Sequence, residues 1–187
     1  MRVIAGRFRS RKLKGPGKLK LRPTSDRLRE TLFNVLGSSV ADSLFVDLYA
    51  GTGAIGIEAV SRGARETILV EQHPPTARLI QGNLETLGIR DGAELIEADA
   101  LKGLEKIAAR RLVADFVFLD PPYESAEEPL RILEYLDGSH IIAPYGLVIV
   151  EHHHKVELPL RFIRLERTRV IEQGDASLTF YRLAAAA

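Results

Sequence analysis

Leu44-Phe45-Val46-Asp47-Leu48-Tyr49-Ala50-Gly51-Thr52-Gly53-Ala54-Ile55-Gly56 is the stretch that decides the fold. Leu44 to Tyr49 is an apolar run of strand length, and Ala54 to Arg62 carries a helical pattern. Between them Gly51, Gly53 and Gly56 have the spacing G-x-G-x-x-G. Glycines let the backbone turn tightly and approach a ligand closely. Downstream, the same alternation continues. Strands are expected over Thr67–Glu71, Ala93–Ala98, Asp115–Leu119 and Leu147–Glu151, with helices over Pro75–Leu87, Leu101–Arg110 and Ala126–Leu136. Such alternation implies right-handed crossovers and a parallel sheet. The pattern then changes. Phe162–Ile171 and Ser177–Leu183 flank Gln173-Gly174-Asp175 with no helix between, so they read as a hairpin that reverses one late strand. Upstream, Thr24 or Ser25 can cap a helix whose apolar face is Leu28, Leu32, Phe33, Val35 and Leu36, with Gly37 as its stop.

Composition narrows the function. The 187 residues suffice for one domain with a sizeable core. There is no cysteine, which excludes disulfides, thiol nucleophiles and thiolate metal sites. No signal-peptide core precedes the first strand, and the longest apolar run, Ile141–Val150, is too short to span a membrane. A cytoplasmic monomer is the expectation. The net charge of +1 conceals a division. Residues 1–22 hold nine basic side chains (Arg2, Arg7, Arg9, Arg11, Lys12, Lys14, Lys18, Lys20, Arg22) and no acidic one. The other 165 residues hold 17 basic and 25 acidic, a net of −8. A basic block beside an acidic body reads as a polyanion-binding arm. Val3, Ile4, Phe8 and Leu13 interleave with the charges, and Gly15-Pro16-Gly17 is a turn signal, so the arm is a hairpin or an extended segment laid on the domain.

Several acidic residues fall at strand ends. Asp47 stands four residues before Gly51, where a carboxylate suits an ammonium and repels a pyrophosphate. This favours S-adenosylmethionine over a dinucleotide as the ligand of the loop. Glu71 ends the second strand, about 20 residues on, where such folds bond a ribose. Asp99 follows the third strand, placed either to accept from an adenine amine or to cap the next helix. Asp120-Pro121-Pro122-Tyr123 follows the apolar run Phe116–Leu119. Two prolines cannot extend a central strand, so the tetrapeptide is a rigid turn at the end where α/β sheets bind ligands. It offers a carboxylate, a carbonyl and an aromatic ring, which suit a flat base bearing an exocyclic amine. His152-His153-His154 invites a metal reading, but neighbours on a strand point to opposite faces, so no metal site is expected and a solvated strand end is.

Together these pieces resemble class I methyltransferases, and one family closely: the bacterial small-subunit rRNA guanine-N2 methyltransferases. The likeness rests on Arg2-Val3-Ile4-Ala5-Gly6 with Arg11-Lys12-Leu13, on Leu21 through Asn34, on Asp47 through Gly53, and on Asp120 through Tyr123. It implies an α/β, Rossmann-like sheet of seven strands with the last reversed, and S-adenosylmethionine as methyl donor. It implies an acceptor guanine in small-subunit rRNA, within an assembled or assembling subunit. Catalysis would fall to Asp120, Pro121 and Tyr123, with Pro122 and Tyr123 against the base. Asp47, Gly51, Gly53, Glu71, Asp99 and Asp120 would border the cofactor. Arg2, Arg7, Arg9, Arg11, Lys12, Arg22 and Arg27 would face RNA. The implied organisation is an arm over residues 1–22, a helix and linker over 23–43, the methyltransferase domain over 44–183 and a tail over 184–187. Ala5 departs from the family, where glycine is the commoner choice. Three rivals stand beside this reading. One is an adenine-N6 or other base amino-methyltransferase acting on DNA or another RNA. Another is an NAD(P)-dependent oxidoreductase, which leaves the arm and Asp120–Tyr123 unexplained. The third is a non-catalytic ribosome-assembly factor.

Overall fold

The computed structural model describes residues 1–17, 24–122 and 127–185. Arg22 and Tyr123 lie outside the described residues. The chain divides into two compact units, Met1–Ala100 and Leu101–Ala187. The first holds helix α1 (Asp26–Leu36), a 3-10 turn (Gly37–Val40), β1 (Leu44–Asp47), α2 (Ala54–Ser61), β2 (Glu66–Glu71), α3 (Pro74–Leu87) and β3 (Ala93–Glu97). Helix α4 (Ala100–Ala109) starts at the boundary. The second unit continues with β4 (Ala114–Leu119), α5 (Glu128–Gly138), β5 (Ile142–His153), β6 (Leu165–Gln173) and β7 (Ala176–Leu183). The sheet has seven strands, in the order β3-β2-β1 in the first unit and β4-β5-β7-β6 in the second. Strand β7 runs antiparallel to both β5 and β6, and the neighbours β1–β2, β2–β3 and β4–β5 are parallel. This is the α/β sheet with a reversed last strand that the sequence predicted.

In the first unit, Ser25 caps α1: its Oγ accepts the Leu28 N–H at 3.1 Å. Leu28, Leu32, Phe33 and Leu36 are buried, and Phe33 stacks on Phe45 of β1 with ring centroids 6.0 Å apart. Each such fully buried apolar side chain stabilises by about 1.5–3 kcal/mol. The N-terminal segment is a hairpin. The Val3 N–H donates to the Arg11 carbonyl at 3.0 Å, and the Leu13 N–H to that of Met1 at 3.1 Å. Its reversal falls over residues 5–10, not at Gly15-Pro16-Gly17. Two residues with left-handed backbone make it, Gly6 (φ 77°) and Ser10 (φ 65°). Gly6 also lies so close to the Ser61 carbonyl that a Cβ would collide with the oxygen.

In the second unit, β4 is buried along nearly its whole length, as its unbroken apolar run requires. Strand β5 is longer than Leu147–Glu151. It starts at Ile142 and absorbs Pro144 in a bulge, because the register passes from Ala114↔Ile142 directly to Phe116↔Leu147. A proline lacks the N–H a ladder needs and is tolerated at such an irregularity.

Candidate functional site

The first unit carries the glycine loop. Asp47, Glu71 and Asp99 all lie at the carboxyl end of its parallel strands: Asp47 closes β1, Glu71 closes β2, and Asp99 sits between β3 and α4. The two strand-end carboxylates shape the loop. The Gly51 N–H donates to Glu71 Oε2 at 3.0 Å, and the Gly56 N–H donates to Asp47 Oδ2 at 3.2 Å. Glu71 Oε1 also accepts the His73 N–H at 2.8 Å, which anchors the start of α3. Both carboxylates are buried. Gly53 takes φ 77°, a conformation that disfavours any side chain, and its N–H closes a tight turn on the Ala50 carbonyl at 2.6 Å. At Gly51 an added Cβ would meet nothing nearer than the Tyr49 carbonyl at 3.8 Å, so the backbone there borders open space. A glycine loop open on one side and flanked by two carboxylates fits a cationic, ribose-bearing molecule such as S-adenosylmethionine, and disfavours a pyrophosphate.

The second unit carries Asp120-Pro121-Pro122. Asp120 follows immediately on β4, half-buried, with Pro121 buried and Pro122 exposed.

The hairpin is basic on its surface and apolar beneath. Arg2, Arg7, Arg9, Arg11 and Lys12 are exposed, as is Arg27 on α1. Val3 and Leu13 are buried in a cluster with Ala50, Ala54, Ile57 and Leu84. Helix α2 receives the hairpin's backbone. Glu58, fully buried, accepts the Ile4 N–H at 2.8 Å, the Ala5 N–H at 2.9 Å and Arg62 Nε at 2.8 Å. The Phe8 N–H donates to Ser61 Oγ at 2.9 Å. From α1, the wholly buried Arg29 donates to the Arg2 carbonyl at 2.5 Å and to Asp26 at 2.9 Å. Burial lowers the Arg29 pKa, against the pull of Glu58 and then Asp26 in the other direction. A cleft of about 320 Å³ lined by Arg7, Ser61, Arg65 and Asp91 lies at the amino ends of β2 and β3, the edge opposite the carboxylates.

Glu58, Ser61, Arg29 and Asn83 are structural partners of the hairpin and loop that the sequence reading missed. One signal was present: Glu58 is an acid inside the apolar helix Ala54-Ile55-Gly56-Ile57-Glu58-Ala59-Val60, and Asn83 falls on the Ile80–Leu84–Leu87 face. The histidines differ from expectation in two respects. His152 is buried rather than solvated, with Nε2 2.8 Å from Thr179 Oγ1 and Nδ1 2.9 Å from the His153 carbonyl. His153 and His154 do not diverge. Strand β5 ends at His153, the two rings stack at 4.5 Å, and ligand-capable atoms of His153, His154 and Asp175 lie within 4.8 Å of one another.

Residues 1–182 match the family described as "Conserved hypothetical protein 95". The ribosomal RNA small subunit methyltransferase D of Escherichia coli K12 is 36% identical over 85% of this chain and 78% of its own. The chain belongs to this family. The structure of a hypothetical protein of Thermus thermophilus superposes with a TM-score of 0.84 at 29% identity, covering 98% of this chain and 99% of that one. An RNA methyltransferase from Salinibacter ruber, solved with S-adenosylhomocysteine, superposes with a TM-score of 0.65 at 16% identity over 89% and 96% of the two chains. At that identity the likeness is one of fold. No described helix is long and apolar enough to cross a membrane.

Proposed function

We propose that this chain methylates the exocyclic N2 amine of a guanine in small-subunit ribosomal RNA, using S-adenosylmethionine. The observation that carries the reading is the stretch Asp120-Pro121-Pro122 directly after the buried strand β4, with Asp120 half-buried. A guanine N2 lone pair is delocalised into the ring, so the amine is a poor nucleophile. The protein's task is to orient it. In this reading the Asp120 carboxylate and the Pro121 carbonyl each accept one N–H of the amine, since both oxygens are acceptors only. That polarisation favours pyramidalisation at nitrogen, which takes the lone pair out of conjugation with the ring, and stabilises the positive charge that develops on nitrogen. Asp120 then takes the released proton or passes it to water. Tyr123 stacks on the base, an interaction of about 1–3 kcal/mol. S-adenosylmethionine supplies an electrophilic methyl group, and Asp47, Gly51, Gly53, Glu71, Asp99 and Asp120 are the residues that hold it. The hairpin, with Arg2, Arg7, Arg9, Arg11 and Lys12, engages RNA phosphates, joined by Arg22 and Arg27.

Membership of the family, and the small-subunit rRNA activity in the name of the Escherichia coli relative, support the substrate class. The test is incubation with radiolabelled S-adenosylmethionine and small ribosomal subunits from a strain lacking the matching enzyme, followed by nucleoside analysis. Label in N2-methylguanosine at one position is expected. Label in N6-methyladenosine would replace guanine by adenine. No label in subunits, naked RNA or DNA would sink the enzyme reading.

A further inference from the structure

Asn83, named above as a partner of hairpin and loop, lies in α3 and is fully buried. Its Nδ2 donates to the Thr52 carbonyl at 3.0 Å and to the Lys14 carbonyl at 3.2 Å. Its Oδ1 accepts the Lys14 N–H at 2.8 Å. Only this orientation of the amide places a donor against each carbonyl and the acceptor against the N–H. One side chain thus grips both backbone groups of Lys14, at the end of the basic hairpin, and the middle residue of Gly51-Thr52-Gly53. A second contact joins the same partners: Thr52 Oγ1 donates to Met1 Sδ at 3.6 Å. Helix α3 supports the loop one turn earlier as well, since Ile80 lies 3.2 Å from where a Gly53 Cβ would be.

We propose that Asn83 is a positioning residue that couples the RNA-binding hairpin to the cofactor loop, so that each ligand strengthens the binding of the other. This rests on the reading of the hairpin as the RNA-binding arm and of the loop as the cofactor site. A hairpin drawn towards phosphates carries Lys14 with it, and the carboxamide that holds Lys14 also holds the Thr52 carbonyl. The amide is buried and satisfied on both sides, and its bond to the Thr52 carbonyl is itself buried, so losing that partner leaves a polar group unpaired away from water. Coupling between two sites is reciprocal. A purely structural role for Asn83 predicts lower stability on substitution but no change in the ratio of affinities.

The test uses the full chain, radiolabelled S-adenosylhomocysteine (which cannot transfer a methyl group) and unmodified small ribosomal subunits. Equilibrium dialysis gives the affinity for S-adenosylhomocysteine with and without saturating subunits. In the parent protein, subunits should tighten it roughly 5-fold or more, the lower end of common allosteric couplings. Asn83→Asp keeps the acceptor for Lys14 and loses both donors, so the ratio should fall below about 2-fold. An unchanged ratio in the folded variant, or no tightening in the parent, overturns the inference. Should Asn83→Asp not fold, hydrogen exchange in the parent decides. Subunits alone should slow exchange of the backbone amides of residues 50–54, and unaltered exchange rejects the coupling. Replacing Arg9, Arg11 and Lys12 together by alanine separates the two levels. Unweakened subunit binding in that variant would remove the RNA-binding arm itself. Weakened binding with no coupling in the parent would remove only the role of Asn83.

Discussion

Asp120 and Glu71 illustrate two uses of a strand-end carboxylate. Asp120 follows the buried β4 and is half-buried beside Pro121. If it orients the amine, Asp120→Asn should lower single-turnover methyl transfer by about 100-fold or more, the usual cost of one positioned acceptor or donor. Calorimetric affinity for S-adenosylhomocysteine should stay within about 2-fold, because the variant is isosteric; unchanged turnover would end the assignment. Glu71 is committed to the Gly51 and His73 N–H groups. Glu71→Ala should therefore weaken cofactor binding mainly by releasing the loop, visible as faster amide exchange at residues 50–54 even without ligand. His152 yields a pH prediction. Burial is the main cause holding its pKa below the ordinary 6.5, the backbone bond to His153 opposing it and the Arg167 charge adding to it. The unfolded chain binds that proton more readily than the folded one, so stability falls as pH drops below about 6.5. His152→Gln should remove that part of the acid sensitivity; identical denaturation midpoints against pH would contradict it. At this scale the sequence was legible where backbone geometry demanded a particular residue, as at Gly53 in the glycine loop. It was misleading for His152, whose buried ring meets Thr179, 27 positions away.

Elements were legible wherever local pattern and tertiary packing agree. Helix α1 begins at its Ser25 cap and stops at Gly37 as the residues indicated. Strand β5 was read too short because Pro144 and Gly146 mark a break by local rules, whereas pairing with β4 carries the strand through a bulge. The hairpin's reversal at residues 5–10 carried no comparable local signal. Gly15-Pro16-Gly17 has the stronger local turn chemistry, but Glu58 and Ser61 on α2 secure the backbone of residues 4–8 instead. This makes Glu58 the clamp of the arm. Glu58→Gln removes the charge that pairs with Arg62 and acts on the buried Arg29, and offers one acceptor oxygen where two are needed. It should lower stability by roughly 3 kcal/mol, the scale for breaking a buried ion pair. Amides of Ile4 and Ala5 should lose exchange protection, and an unaltered denaturant midpoint would refute the clamp.

Across the whole molecule, positive charge is concentrated in the first 22 residues while the rest carries a net of −8. Electrostatic attraction to RNA should therefore enter through the arm. Replacing Arg9, Arg11 and Lys12 by alanine should flatten the logarithmic salt dependence of subunit binding by up to about 2–3, as each phosphate contact contributes about 0.7–0.9. An unchanged slope would make the arm a solvated surface. The alternation of strands and helices sufficed to read the sheet and its reversed strand, because the period of apolar residues follows directly from which faces are covered. It could not show that the basic arm is part of the core. Val3 and Leu13 are flanked by Arg2, Lys12 and Lys14, and their burial with Ala54 and Leu84 comes from tertiary contact.

That contact also orders events during synthesis. The Ile4 amide is received by a side chain made 54 residues later, and the Lys14 amide by one made 69 residues later. At about 5–20 residues per second, the arm waits roughly 3–14 s for its partners. Throughout that interval a nascent cationic segment beside the ribosome's own RNA lacks its anchors on α2 and α3, whose arrival completes the hold that Arg29 of α1 begins.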